Sequence, residues 1–149
     1  MHRLQRKKLM DKKYQDVGGL RLPGRLARLE VARVVSLCLE GVDARSVLDV
    51  GAGSGVFAEA FSLRGIEGYG LDENAEMIET AGRHIPQVDF RQGSAEAIPW
   101  PDQAFDLVFM GLVLHEVNSP LAALQEARRV SRDRVAVLEW PYQAQEFGP

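Results

Sequence analysis

A chain of 149 residues that is 46% hydrophobic and 26% charged has the length of one domain and the apolar content of a buried core. The formal net charge is −3, with cations concentrated at the start and an acidic remainder, so the body makes a poor nucleic-acid surface. No apolar run reaches membrane-span length, the first residues lack the apolar stretch of a secretory signal, and the lone Cys38 allows no internal disulfide and offers a poor basis for a metal site.

A reducing, cytoplasmic setting is the matching expectation. Arg3, Arg6, Lys7, Lys8, Lys12 and Lys13 stand against Asp11 alone, so residues 1–25 read as a basic, solvated arm and residues 26–149 as a single domain. Gly18-Gly19 and Pro23-Gly24 break the chain after the arm. Leu26 to Leu39 carries apolar residues at Leu26, Leu29, Val31, Val34, Val35 and Cys38, close to a helical stripe, which Gly41 ends. Ser46 to Val50 is the first strand, and a helix follows from Val56 to Leu63, with Gly65 as its stop. Ile66 to Leu71 is a second strand, closed by Asp72. Asn74 caps a helix through Arg83 whose inner face is Ala75, Met77, Ile78 and Ala81.

Val88 to Arg91 gives a short third strand, and Gly93 to Ala104 an irregular connection with Pro99 and Pro101. Phe105 to Met110 is a strongly apolar fourth strand. Ser119-Pro120 starts a helix to about Val130, and Arg134 to Trp140 is a fifth strand that Pro141 ends. Strands alternate with helices, and several strands are nearly continuous apolar runs, as when both faces are covered. The fold class is therefore α/β: a doubly wound, mostly parallel sheet of about five strands with right-handed crossovers. Ligands of such sheets bind at the carboxyl ends of the strands, near the switch in strand order.

Three segments fall at such ends. Val47 to Phe57 reads VLDVGAGSGVF, an apolar strand running into Gly51, Gly53 and Gly55 and then a helix. Bare main chain there can approach a nucleotide-like ligand. A dinucleotide fingerprint would place the third glycine at Val56, one residue later than Gly55. Asp72 follows the loop by about twenty residues, where a carboxylate can accept both ribose hydroxyls and also favours a helix N-terminus. Gly93 to Gly111, GSAEAIPWPDQAFDLVFMG, is the third.

Asp49 with the three glycines resembles motif I, E/D-x-G-x-G-x-G, of the class I S-adenosylmethionine (SAM) dependent methyltransferases. The Gly93–Gly111 segment resembles G-D-A-E-x-L-P-F-x-D-x-x-F-D-L-V of the branch that includes quinone-biosynthesis C-methyltransferases. The resemblance covers Leu26 to Trp140 and implies SAM as cofactor. It puts Gly51, Ala52, Gly53 and Gly55 under the methionine part, Asp49 near its amino group, and Asp72 with Glu73 at the ribose. Met77 is placed against adenine or in the helix core. Ser94 stands where the family has an acid for the adenine amino group, so that contact passes to backbone around Ala95; Glu96 reads as solvated or local. Gly111 and Leu112 fall beside the sulfonium. Trp100 either stacks on ligand or covers core, and Asp106 serves structural hydrogen bonds.

His115, followed by Glu116, is the candidate general base, since an imidazole can take a proton from a substrate nucleophile. Tyr14 falls where N-terminal aromatics of relatives close over the cofactor, and Glu139, Trp140 and Tyr142 are placed to face substrate. The implied reaction is in-line methyl transfer to a small-molecule acceptor, with alignment and water exclusion as the protein's contribution and no metal. Two alternatives are a non-catalytic SAM-binding module and a nicotinamide-dependent oxidoreductase. The family fold continues after strand five with a helix and an antiparallel strand pair that nothing after Tyr142 can supply. The expectation is an open edge covered by another copy of the chain, or a sequence that is a fragment of a longer product.

Overall fold

The computed structural model describes residues 23–140. Most of the basic arm, with Tyr14 and Gly18-Gly19, and residues 141–149, with Tyr142, lie outside the described residues. The elements are α1 (Pro23–Leu29), α2 (Val31–Leu39), β1 (Ser46–Val50), α3 (Val56–Ser62), β2 (Glu67–Asp72), α4 (Ala75–His84), β3 (Asp89–Gln92), β4 (Phe105–Gly111), α5 (Pro120–Val130) and β5 (Ser131–Leu138).

Several boundaries differ from the sequence pattern, three of them by more than a shift of one or two residues. The helix expected over Leu26–Leu39 is two helices, because Glu30 takes the left-handed conformation (φ 47°, ψ 49°) between them. Leu29 and Val31 are two residues apart and cannot share one helical face. The break lets Leu29 reach the core at 8% exposure while Val35 and Cys38 are buried from α2. Pro23 and Gly24, expected as a chain break, instead open α1, with proline at the first helical position. Strand β5 runs Ser131–Leu138, beginning three residues before the expected start at Arg134 and ending two before Trp140. Ser131 is followed by Arg132 and Asp133, and an irregularity opposite Phe105–Leu107 of β4 absorbs the extra residue.

The caps follow the sequence. The Asn74 side chain accepts from the N–H groups of Glu76 and Met77, and Ser119 accepts from Ala122.

All strand pairs are parallel, in the order β3-β2-β1-β4-β5. The order reverses beside β1, with β2 on one side and β4 on the other, so the switch point faces the loop after Val50. Strand β1 is buried throughout. Its Leu48 and Val50 pack with Val108, Met110, Ala123 and Ala127 on one face of the sheet. Val47 packs with Phe57, Phe61, Leu107 and Phe109 on the other. The alternation of side chains along a strand therefore sends Asp49 under α3, the same way as Val47.

The irregular Gly93–Ala104 connection is fastened to α5. Glu126 accepts the Ile98 N–H (2.8 Å), while Arg129 donates to the carbonyls of Ile98 (2.9 Å) and Trp100 (2.8 Å). Trp100 covers core: its ring meets Tyr69 and Phe105 edge-on, and the Arg91 guanidinium lies 4.7 Å from its centroid. At the amino end of the sheet Asp106 serves structure, accepting from the N–H groups of Arg45 (2.8 Å) and Ser46 (3.2 Å) and from Arg132 (2.8 Å). These bonds hold its carboxyl below the usual range, the Arg45 N–H foremost.

Candidate functional site

The loop after β1 is tied down by the end of β2. The N–H groups of Gly51 and Ala52 both donate to the Leu71 carbonyl (2.7 and 2.9 Å), and Gly55 N–H closes back on Ala52 (2.9 Å). Gly53 N–H donates to Asp72 Oδ2 at 2.9 Å, and Asn74 N–H to Asp72 Oδ1 at 2.9 Å. A carboxylate offers about four lone-pair sites, so Asp72 can hold the loop with two and still accept a pair of hydroxyls with the others.

Gly51 (φ 73°) and Gly55 (φ 80°) are left-handed. A Cβ at Gly51 would meet Val113 Cγ2 at 2.6 Å, and one at Gly55 would meet Ile85 Cδ1 at 2.7 Å and Phe90 Cζ at 2.8 Å. These two glycines serve the protein's own packing as well as any ligand.

Asp49 is 2% exposed, and its Oδ2 accepts the Ala58 N–H at 3.2 Å, at the N-terminal turn of α3. Burial pushes its carboxyl up to about 8; the Ala58 bond works against this and the charge of Asp72 adds to it. The helix N-terminus where a dinucleotide's pyrophosphate would rest is thus already occupied by an acid. Four N–H groups of the loop are engaged internally as well. The place suits a cation far better than an anion.

A cleft opens over the switch point. Its walls are Gly51, Leu71, Asp72, Glu73, Gly93, Ala95, Glu96, Leu112, Val113, Glu116, Val117 and Asn118. Of the residues singled out from the sequence, Gly51, Asp72, Glu73, Ala95 and Leu112 line it. Asp49, Ala52, Gly53 and Gly55 form the loop beneath and beside it. Met77 is 4% exposed on the inner face of α4. The Ser94 hydroxyl accepts from Glu96 N–H (3.1 Å), and Glu96 Oε1 accepts from Ser119 N–H (2.9 Å), linking the connection to the start of α5. Gly111 ends β4, and Leu112 beside it has φ 56°, its N–H bonded to the Leu138 carbonyl (2.8 Å).

Val113, next to Leu112 in the stretch expected beside the sulfonium, also lines the cleft, while the sequence reading missed Val117 and Asn118. They follow β4 at its carboxyl end, and only their position after the strand signals them. Glu96 and Glu116 add two acids to the walls, beside Asp72 and Glu73.

His115 stands apart from the cleft walls. Its Nδ1 lies 2.8 Å from Glu139 Oε1, bridging the ends of β4 and β5, and its Nε2 lies 3.6 Å from Glu116 Oε1. Among the described residues no group of three or more His, Cys, Asp or Glu side chains could hold a metal, and no helix is long and apolar enough to cross a membrane.

Comparison with known proteins places this geometry. The family model described as "Methyltransferase domain" matches residues 48–138. A demethylmenaquinone methyltransferase of Renibacterium salmoninarum is 33% identical over 117 residues, 78% of this chain and 49% of that protein. The crystal structure of a SAM-dependent methyltransferase from Aquifex aeolicus superposes with a TM-score of 0.76 at 26% identity, over 91% of this chain and 77% of that one. The YcgJ protein of Bacillus subtilis superposes at 0.64 with 31% identity, over 70% of this chain and 47% of that one. The chain spans about half the length of the curated relative it matches.

Proposed function

Because the chain belongs to the SAM-dependent methyltransferase family, we propose that it transfers the methyl group of SAM to a small-molecule acceptor by in-line displacement. The observation that carries this reading is the Asp72 carboxylate, which ties the glycine loop to the end of β2 through Gly53 N–H (2.9 Å) and keeps acceptor capacity toward the cleft. The residues present fit the family's cofactor. Asp72 and Glu73 would take the ribose hydroxyls, Ala95 and the backbone near it the adenine, and Gly51 with Leu112 the methionine end. Bound there, the cofactor supplies an activated methyl group on a positively charged sulfur.

The protein's share is orientation and charge. The acids Asp72, Glu73, Glu96 and Glu116 line the cleft with negative potential suited to a cation. Leu112 and Val113 exclude water from the end at β4. His115, outside the cleft walls and 2.8 Å from Glu139, is the candidate base for an acceptor that reaches the ends of β4 and β5. Nothing in the site favours the nicotinamide alternative, since the loop offers a pyrophosphate an acid in place of N–H donors.

The second reading is a SAM-binding module without turnover. We also infer association of two copies along β5, whose outer edge is unpaired among the described residues and which carries Val137 at 46% exposure. A reducing compartment suits Cys38, a buried thiol whose pKa is pushed up to about 11, chiefly by burial.

Incubation with SAM labelled on its methyl group, across a panel of phenols, quinols and amines, tests the main reading. Label appearing in an acceptor supports it. Tight binding of SAM with no label leaving it across the panel supports the second reading.

A further inference from the structure

The carboxyl edge of the sheet runs β3, β2, β1, β4, β5, with neighbouring strands about 4.8 Å apart. Asp72 ends β2, Gly51 follows β1, Leu112 follows β4 and Glu139 follows β5. A ligand anchored over β2 and β1, with its reactive end at Leu112, leaves the corner between β4 and β5 for the molecule that it reacts with.

Glu139 occupies that corner in an unusual state. Its Oε1 accepts from Trp140 N–H (3.0 Å) and lies 2.8 Å from His115 Nδ1. A carboxylate has no proton to give, so Nδ1 is the donor in that bond. The other oxygen, Oε2, is buried and takes no hydrogen bond among the described residues. Buried polar atoms in folded proteins are satisfied almost without exception, and an orphaned one calls for an explanation. Two partners fix Oε1, so the carboxylate cannot turn to satisfy Oε2 without losing a bond already made.

We propose that Glu139 Oε2 receives an N–H or O–H group of the methyl acceptor, so that the acceptors are amines, alcohols or phenols docked at the β4–β5 corner. This rests on the reading of the cleft given above. A site built to accept a donor rejects an otherwise similar molecule that lacks one, because the buried acceptor is then left unpaired.

The test uses the full chain, isotope-labelled and saturated with S-adenosylhomocysteine. The readouts are the Trp140 backbone amide and the His115 ring resonances. Catechol and its dimethyl ether, veratrole, probe O–H; benzylamine and benzyltrimethylammonium probe N–H. A donor-bearing probe is expected to shift these resonances and to bind at least about tenfold more tightly than its methylated counterpart. Glu139→Gln is expected to abolish that preference while leaving S-adenosylhomocysteine affinity unchanged.

The proposal is overturned if both members of each pair behave alike, with or without shifts. It is also overturned if Glu139→Gln keeps the preference, or raises the unfolding midpoint with probe binding intact. That last result would make Glu139 an ordinary buried charge. A chain that fails to bind S-adenosylhomocysteine refutes the cofactor reading before any probe is added, and the proposal falls with it.

Discussion

Asp49 shows how one side chain reports on the ligand. It lies under the glycine loop at 2% exposure with Asp72 nearby, and burial above all raises its carboxyl pKa to about 8. Its ordinary value lies near 3.8. The folded state therefore holds the proton more strongly than the unfolded chain. That contribution to stability is complete below pH 3.8 and is lost as pH rises toward 8. Asp49→Asn keeps an oxygen for the Ala58 N–H and removes the ionisation. Thermal melts of both proteins at pH 5 and pH 9 should show the variant gaining on the parent at the higher pH. A parent whose midpoint holds level with the variant's across that range would contradict the assignment. The sequence made Asp49 legible as a motif acid. It could not show that the carboxylate fills the helix N-terminus, because that follows from which face of β1 the residue occupies.

At the scale of elements, the α1–α2 junction is where the chain departs from its own periodicity. Glu30 is held at φ 47°, a conformation that costs a non-glycine residue about 1 kcal/mol or more. The exposed Arg33–Glu30 pair (3.2 Å) offsets little of this. Glu30→Gly should therefore stabilise the fold by about 0.5–1 kcal/mol in urea unfolding; a loss of stability would show that the junction is not left-handed in solution. Strand β5 gives the complementary lesson. Its apolar run, Val135 to Leu138, was legible, while its start was hidden by Arg132 and Asp133. Arg132 is at the rim because it pairs with Asp106, and no local pattern encodes that long-range contact. Elements with an internal signal, such as the Asn74 and Ser119 caps and the buried runs of β1 and β4, were readable within a residue or so.

Across the whole molecule, the alternation of strands and helices was enough for a doubly wound parallel sheet. The glycine loop, Asp72 and the Gly93–Gly111 segment were enough for the expected ligand. The cleft's acidic walls were less legible. Glu96 and Glu116 come from separate connections, after β3 and after β4, and meet only because the strand order reverses beside β1. The outer edge of β5 belongs to this scale too. Light scattering over a concentration series should show a dimer if a second copy pairs along it, and a monodisperse monomer at high concentration would contradict that inference.

The most direct measurement is calorimetric titration of the full chain, and of its Asp72→Ala variant, with SAM and with NAD. A sulfonium cradled by the glycine loop and the acid at the end of β2 requires that SAM bind while NAD does not. It also requires that loss of the Asp72 carboxylate cost about 1–3 kcal/mol, roughly a 5- to 150-fold rise in the SAM dissociation constant. Binding of NAD alone, or an affinity for SAM that is the same with and without Asp72, would contradict it.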